Sequence, residues 1–483
     1  MPQTFSRLRF NPRASARCVG SSPADRPRGA AARPQARSAL LRAPWLGAVF
    51  GALCAPWAAQ AAPVCQTLGI RTAGNELLSS IESSSDARWL ELGDELLLCT
   101  DSSRPVARAT ELPVLRERSV PIDDLLLIQG FQRASSPFAE VLASGGRFAV
   151  VTAASMQASL DEHDVEAHAH AHSLSQEVPW NSVVVRRATN RPAPAKRSAA
   201  AMPRTDQLVA AIDGARWLAD VGTLAGWDRH SLRSGIVNAR DWIQGQFAGM
   251  SGMSVALDPF VLSGTTIHNV IATLPGTTRP DEIYVVGGHY DAIGGSFSPG
   301  GEDNASGCAG VLEIARVFAA QPPPSTMRFV CYSGEEQGLR GSQHQVGDLI
   351  ASGEDDRVVH MLNMDMIGYT GDAELDCLLE TEDEFAYLLD AYADAAARYT
   401  TLSIATSLFA FGSDHVPFID AGMPALLTIE NDWDSYPHYH RSTDVAANVS
   451  LDMGYQTLRM NVATLADLMG VDSARLFASG FED

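Results

Sequence analysis

Four apolar runs in the second half of the chain each stop at a cluster of polar residues. They are "EIYVVGG" (282–288), "TMRFVCY" (326–332), "VVHMLNMDMIG" (358–368) and "PALLTIE" (424–430). Each is short, rich in aliphatic, aromatic or β-branched residues, and bounded by Gly, Ser or Pro, which reads as a buried strand. Between the first two lies "SGCAGVLEIARVFAAQ" (306–321). There Val311, Ile314, Ala315 and Phe318 fall on one face of a helix, and Pro322 follows its end. Strands alternating with helices predict an α/β fold: a mixed, largely parallel central β-sheet sandwiched between helices.

Before residue 205 the pattern differs. "DDLLLIQGF" (123–131) and "GRFAVVTAA" (146–154) are apolar enough to fold, so residues 62–204 form a smaller N-terminal region. Within it, "HDVEAHAHAHS" holds His163, His168, His170 and His172, a run that either binds metal or forms an exposed loop. The stretch "RRATNRPAPAKRSAAAMPRTDQ" has Pro, Ala and basic residues without periodicity. It reads as a linker over about 186–204, open to a protease. Residues 205–475 form the main domain, and 476–483, "LFASGFED", a short tail.

The start of the chain has its own signature. Arg-rich residues 1–42 precede "APWLGAVFGALCAPWAAQAAP", too short to span a bilayer and ending in small residues. Ala59-Gln60-Ala61 fits an A-x-A cleavage site, so 1–61 reads as a signal peptide. The expectation is a periplasmic or extracellular protein with no membrane segment after processing.

Charge and cysteines narrow the picture. The chain of 483 residues has a net charge of −21, and residues 1–61 hold nine arginines and one acid, so the remainder carries about −29. No basic stripe survives there, which argues against nucleic acid as a partner. Of seven cysteines, Cys18 and Cys54 leave with the signal, and Cys65 and Cys99 can pair in an oxidising compartment. Cys308, Cys331 and Cys377 read as small buried apolar residues, and no C-x-x-C spacing supports a cysteine metal site.

The residues that close the strands form a constellation. His289 and Asp291 follow "YVVGG", Asp303 lies in "SPGGEDNASG" before the helix, Glu335 and Glu336 follow "TMRFVCY", and Asp365 lies in "LNMDMIG". "NDWDSYPHYHRSTD" adds His438, His440 and Asp444. The carboxyl ends of strands in open α/β sheets are where ligands bind. Two imidazoles and three or four carboxylates without thiolates suit divalent zinc, with manganese or cobalt as alternatives. The charges balance best for a pair of ions. That leaves one glutamate uncoordinated as a candidate general base. The doublet Glu335–Glu336, leaving a strand, is expected to point to opposite sides.

From about 205 to 470 the chain resembles the bacterial leucyl aminopeptidases, a di-zinc family of secreted exopeptidases. The resemblance rests on "GGHYDA", "GGEDNASGCAGVLEIAR", "YSGEEQGLRGSQ", "LNMDMIGY", "GSDHVPFIDAGMPA" and "HRSTD", in that order. It implies two Zn2+ ions, with Asp303 bridging, His289 and Asp365 on one ion, and Glu336 and His440 on the other. Glu335 would be the catalytic base, with Asp291 and Asp444 as supporting carboxylates. His440 is preferred to His438 because His440 and Asp444 reproduce the family's His-x-x-x-Asp element. A bridging hydroxide would attack the peptide carbonyl, and the free amino terminus of a peptide or protein would bind the other ion.

Met366, Ile429, Trp433 and Tyr436 occupy positions resembling the family's apolar pocket, which implies leucine-like or other bulky first residues. "SLFAFGSDH" departs from one branch in having Phe409 and Phe411 where that branch has a cysteine pair. The N-terminal region would then be a pro-region, removed by an activating protease from a monomeric zymogen. A di-zinc carboxypeptidase, a single-zinc glutaminyl cyclase and a binding protein on a retired peptidase scaffold are the alternatives. The complete ligand set argues against the last two. The "DNAS" sequon abuts Asp303, where a glycan would block the site, and is read as fortuitous.

Overall fold

The computed structural model describes residues 63–85, 87–100, 109–133, 138, 140–162, 175–189 and 204–472. The expected signal peptide, the His163–His172 run, residues 190–203 of the linker and the 476–483 tail lie outside the described residues. The N-terminal region supplies β1 (Val64–Gly69), β2 (Ala87–Gly93), β3 (Glu95–Thr100), β4 (Val114–Ser119), β5 (Leu125–Gln129), β6 (Val141–Gly145), β7 (Phe148–Thr152), β8 (Ser175–Glu177) and β9 (Ser182–Thr189). After residue 204 come β10 (Ser254–Leu262), β11 (Thr265–Leu274), β12 (Arg279–His289), β13 (Ser325–Tyr332), β14 (Val358–Met364), β15 (Asp376–Glu380), β16 (Ser403–Ser407) and β17 (Ala425–Glu430).

The four runs expected to be buried strands are β12, β13, β14 and β17. They lie side by side and parallel, in the order β13-β12-β14-β17. Parallel strands are covered on both faces, and the alternation of side chains distributes them. Val286, Phe329 and Leu362 pack with Leu312 and Ile314 of the helix Gly307–Ala320. Val285, Val330 and Met361 face the other way, onto Val346 and Leu349 of the helix Arg340–Ser352. Antiparallel β10 and β11 close one side, and β15 continues the other antiparallel to β17. The expected mixed α/β sandwich is therefore present. Among the described residues no helix is long and apolar enough to cross a membrane.

The N-terminal region does not stand apart from this sheet. Strand β9 pairs antiparallel with β16, and β2, β3, β1 and β4 extend the order beyond it, giving one 13-stranded sheet. Strands β5 to β8 form a second, four-stranded sheet. Two sequence expectations change here. Residues 186–189 are strand rather than linker, because Arg187 is tied in: its backbone N–H donates to Glu91, and its guanidinium to the carbonyls of Ile70 and Ala73. Cys308 and Cys331 are buried as expected, yet they form a disulfide joining the helix Gly307–Ala320 to β13. Cys65 and Cys99 pair as well, being directly opposed on β1 and β3. Cys377 alone among the described cysteines stays free and buried.

The turn between β6 and β7 drives Arg147 into the main domain. Its guanidinium donates to Glu380 at 2.9 Å and to the carbonyls of Phe411 and Gly412, and it lies 4.0 Å from the Phe411 ring centroid. The ion pair is almost fully buried, at 4% and 0% side-chain exposure. Removing one partner of such a pair strands a desolvated charge. Arg147→Met should therefore destabilise the protein by about 3–5 kcal/mol. Arg118→Met, which breaks an exposed pair with Glu140, should lose at most about 1 kcal/mol. Urea denaturation of the two variants checks this, and equal midpoints would refute it.

Candidate metal centre

Because β12, β13, β14 and β17 run parallel, their carboxyl ends share one edge. His289 is the last residue of β12, Asp365 directly follows β14, and Glu335 and Glu336 lie just beyond β13. The Asp303 loop reaches the same edge through a close approach at Gly307. A Cβ on Gly307 would collide with the Met364 carbonyl and the Asn304 side chain, so only glycine lets the helix start so near β14.

The side chains converge. Asp303 Oδ1 lies 3.4 Å from His289 Nε2, and its Oδ2 lies 3.2 Å from His440 Nε2. On the His289 side, Asp365 Oδ1 is 3.5 Å and Glu335 Oε2 is 3.9 Å from Nε2. On the other side, Glu336 Oε2 is 3.1 Å from His440 Nε2. All six residues are buried or nearly so. His438, by contrast, is part of the surface and meets Thr443.

The electrostatics follow from burial. Desolvation pushes Glu335 well above the usual carboxylate range, with Glu336 adding to it against the opposing pull of His289. Burial likewise raises Glu336, to about 7. For His289, burial opposes the charged form, but Glu335 and Asp365 outweigh it and hold the pKa well above normal. His440 is raised to about 10 against its own desolvation, chiefly by Glu336. Asp303 goes the other way: both imidazoles overcome its burial and keep it ionised.

The donor set fits divalent metal on an observation of its own. Asp365 Oδ2 accepts from Ser413 at 2.6 Å, while the buried Oδ1 has no hydrogen-bond partner and faces the cluster. Imidazole nitrogens and carboxylate oxygens are the ligands zinc prefers.

Supporting groups hold the cluster. Asp291 accepts from the backbone N–H groups of Glu335 and Glu336, each at 3.3 Å, and from the Ser231 hydroxyl at 2.8 Å. Its own carbonyl lies 3.1 Å from His289 Nδ1. The glutamate doublet is therefore in a tight turn, entered through Gly334 at φ +73, and strand alternation does not orient it. What separates the two is the turn: Glu335 faces His289, and Glu336 faces His440 and accepts from the Ile293 N–H. Asp444 also works through backbone. It accepts from the N–H groups of Glu302 and Asp303 at 2.9 and 3.0 Å and from the Tyr436 hydroxyl at 2.5 Å. Burial raises its pKa to about 6 despite these bonds.

Met366, Ile429, Trp433 and Tyr436 are at most 4% exposed and share a core with Leu125, Leu127, Phe148 and Val150 of the N-terminal region. Phe148 sits edge-on to Phe411, with ring centroids 5.1 Å apart. Sequence reasoning did not single out Arg229, Ser231, Glu302 or Ser413. Ser413 and Glu302 lay inside quoted motifs, but their partners, Asp365 and the Gly368 N–H, are distant in sequence.

The fold and the cluster define a class, an α/β sandwich with a buried carboxylate–imidazole cluster at its carboxyl edge. Residues 269–465 match the model for Peptidase family M28, and every residue of the cluster lies within that stretch. A probable zinc metalloprotease of Leptosphaeria maculans is 31% identical over 263 residues, covering 44% of this chain and 60% of that protein. Aminopeptidase YwaD of Bacillus subtilis is 34% identical over 178 residues, covering 36% of this chain and 38% of that one. The chain thus spans less than two thirds of the curated relatives it matches. The fold of LapB from Legionella pneumophila superposes with a TM-score of 0.50 at 19% identity, covering 84% of this chain and 99% of that one.

Asp444 can be tested without metal. Asp444→Ala leaves two buried N–H donors unpaired, each costing about 1–3 kcal/mol, so the metal-free variant should lose about 2–6 kcal/mol in urea unfolding. Asp444→Asn keeps one acceptor and should lose less. An unchanged midpoint for Asp444→Ala would show that water replaces the carboxylate.

Proposed function

We propose that this chain is a zinc-dependent aminopeptidase that binds two Zn2+ ions and removes bulky apolar, leucine-like residues from the amino termini of peptides. The observation that carries this reading is Asp303, whose two carboxylate oxygens each meet a different imidazole. One carboxylate shared between two nitrogen donors is the arrangement a metal pair needs. His289 and Asp365 would complete one position, and Glu336 and His440 the other. The similarity to Peptidase family M28 and to YwaD supports the same assignment.

When bound, zinc would polarise a peptide carbonyl and lower the pKa of water. The chain's own part is proton movement. Glu335 is buried beside His289, 3.9 Å from its Nε2, and lies among neither the bridging nor the His440-facing oxygens. A carboxylate placed beside the cluster without being one of the proposed ligands is suited to accept a proton from water and return it to the leaving amine. Asp291 fixes Glu335 by its backbone N–H, which keeps that carboxylate in place through both transfers.

The protein would be made as an exported precursor. The apolar stretch before Ala61 and two disulfides support an oxidising compartment outside the cytosol. The shared core between Phe148 and the four pocket candidates supports a pro-region that covers the site until a protease cuts the linker.

Two substitutions separate the roles. Glu335→Gln should keep zinc content near normal and lower kcat on the order of 10²–10⁴-fold. Glu336→Gln should lose zinc first. A panel of aminoacyl-p-nitroanilides, with N-acetylated controls and with or without chelator, reads both. Full turnover in Glu335→Gln, or equal cleavage of acetylated substrates, would sink the assignment. The precursor should also be less active than protein cut within 190–203; equal rates would remove the zymogen reading while leaving the enzyme.

A further inference from the structure

The loop ahead of the helix Gly235–Ala248 contains "DRHS" (228–231), and its arginine is completely buried. Arg229 donates from Nε to the Tyr290 carbonyl at 2.7 Å, from Nη2 to the Gly300 carbonyl at 2.7 Å, and from Nη1 to the Pro299 carbonyl. Its backbone joins the same two segments: its N–H donates to Ser298, and its carbonyl accepts from Ala292. Residues 290–292 follow directly on His289 and contain Asp291, and residues 298–300 lead into Asp303. One residue therefore ties together the two ends of the 290–300 connection, which flank ligand candidates and meet where Ala292 packs against Gly300.

The charge matters as much as the hydrogen bonds. The guanidinium donates to three carbonyls, none of which neutralises it, and the charges that favour its protonated form are Asp444, Asp291, Asp303 and Glu336. Burial lowers its pKa only to about 10, so it remains charged at neutral pH. A fixed, planar cation behind a carboxylate cluster holds the loops apart at one spacing and offsets the repulsion among the acids. Two neighbours extend the device. Ser231 donates to Asp291, and Asp228 accepts from the Ser298 N–H.

We propose that Arg229 is a positioning residue of the metal centre: it clamps the 290–292 and 298–300 loops so that His289 and Asp303 stand at ligating separation before metal arrives. The inference rests on the metal-binding reading above. Lysine carries its three donors on one nitrogen and lacks the spread of a guanidinium across three carbonyls, so the planar fork is the essential property.

The test uses the full-length protein and zinc alone, in competition with a chromogenic chelator. Arg229→Met should weaken zinc binding about 10–100-fold, the usual effect of losing a group that orients ligands, and Arg229→Lys should fall between that and wild type. Arg316→Met serves as the control for fold. Arg316 pairs with Glu313 and Asp220 between helices and touches no ligand loop, so its loss should lower the unfolding temperature of zinc-free protein while leaving zinc affinity unchanged. Should Arg229→Met not accumulate folded, Arg229→Lys carries the measurement. Wild-type zinc affinity in whichever Arg229 variant is measured would overturn the inference. So would an Arg316→Met variant that loses zinc to the same degree, since that would make the effect one of stability. A wild-type chain that binds no zinc would overturn the metal-centre reading itself, and this inference with it.

Discussion

The structure turns on a concentration of buried negative charge. Asp303, Glu335, Glu336, Asp365, Asp291 and Asp444 all lie within the carboxyl edge of the sheet, each at most 8% exposed. Desolvating one carboxylate without compensation is costly, and desolvating several together more so. The surrounding fold supplies compensation from several directions. His289 and His440 stand among the acids, Arg229 lies behind them, and Asp291 and Asp444 take backbone N–H groups from the very loops that bear the other carboxylates. Since backbone donors cannot move without unfolding the turn, each such bond fixes a loop as well as a charge.

That arrangement explains why the parallel strands matter more than the outer ones. Four strands pointing the same way deliver four polar termini to one edge, and the glycine approach at Gly307 adds a fifth from the helix side. Local strain gathers there too. Met366 and His440 both take positive φ, at +50° and +55°, a region that non-glycine residues rarely enter. Each adjoins or belongs to the cluster, so the packing around it must over-determine the backbone.

The strands, the helix with its apolar face, and the set of converging polar residues could be read in the sequence because each is a local pattern. Apolar runs with an abrupt polar end report burial and edge together. The features that escaped are those whose partners lack side-chain signatures. Arg229 binds carbonyl oxygens, which every residue possesses, so nothing in "DRHS" announces it. The Cys308–Cys331 bond joins a helix to a strand, and each cysteine reads by itself as an apolar core residue. The turn at Gly334 replaced strand alternation as the reason Glu335 and Glu336 diverge. The pairing of β9 with β16 was equally hidden, because "SVVVRRAT" carries a strand pattern that runs into a linker-like composition.

The N-terminal region introduces a second electrostatic problem, coupled to the first. Arg147 enters a volume that already contains Glu380, whose pKa burial raises to about 7 even with the guanidinium beside it. The same guanidinium holds the carbonyls of Phe411 and Gly412, and the next residue, Ser413, donates to Asp365. The N-terminal region thus grips, through Arg147, the loop whose Ser413 holds Asp365, so its packing and the geometry of the carboxylate–imidazole cluster are mechanically linked. Any event that withdraws the β6–β7 turn must leave Glu380 to water and let the 411–413 segment find new partners.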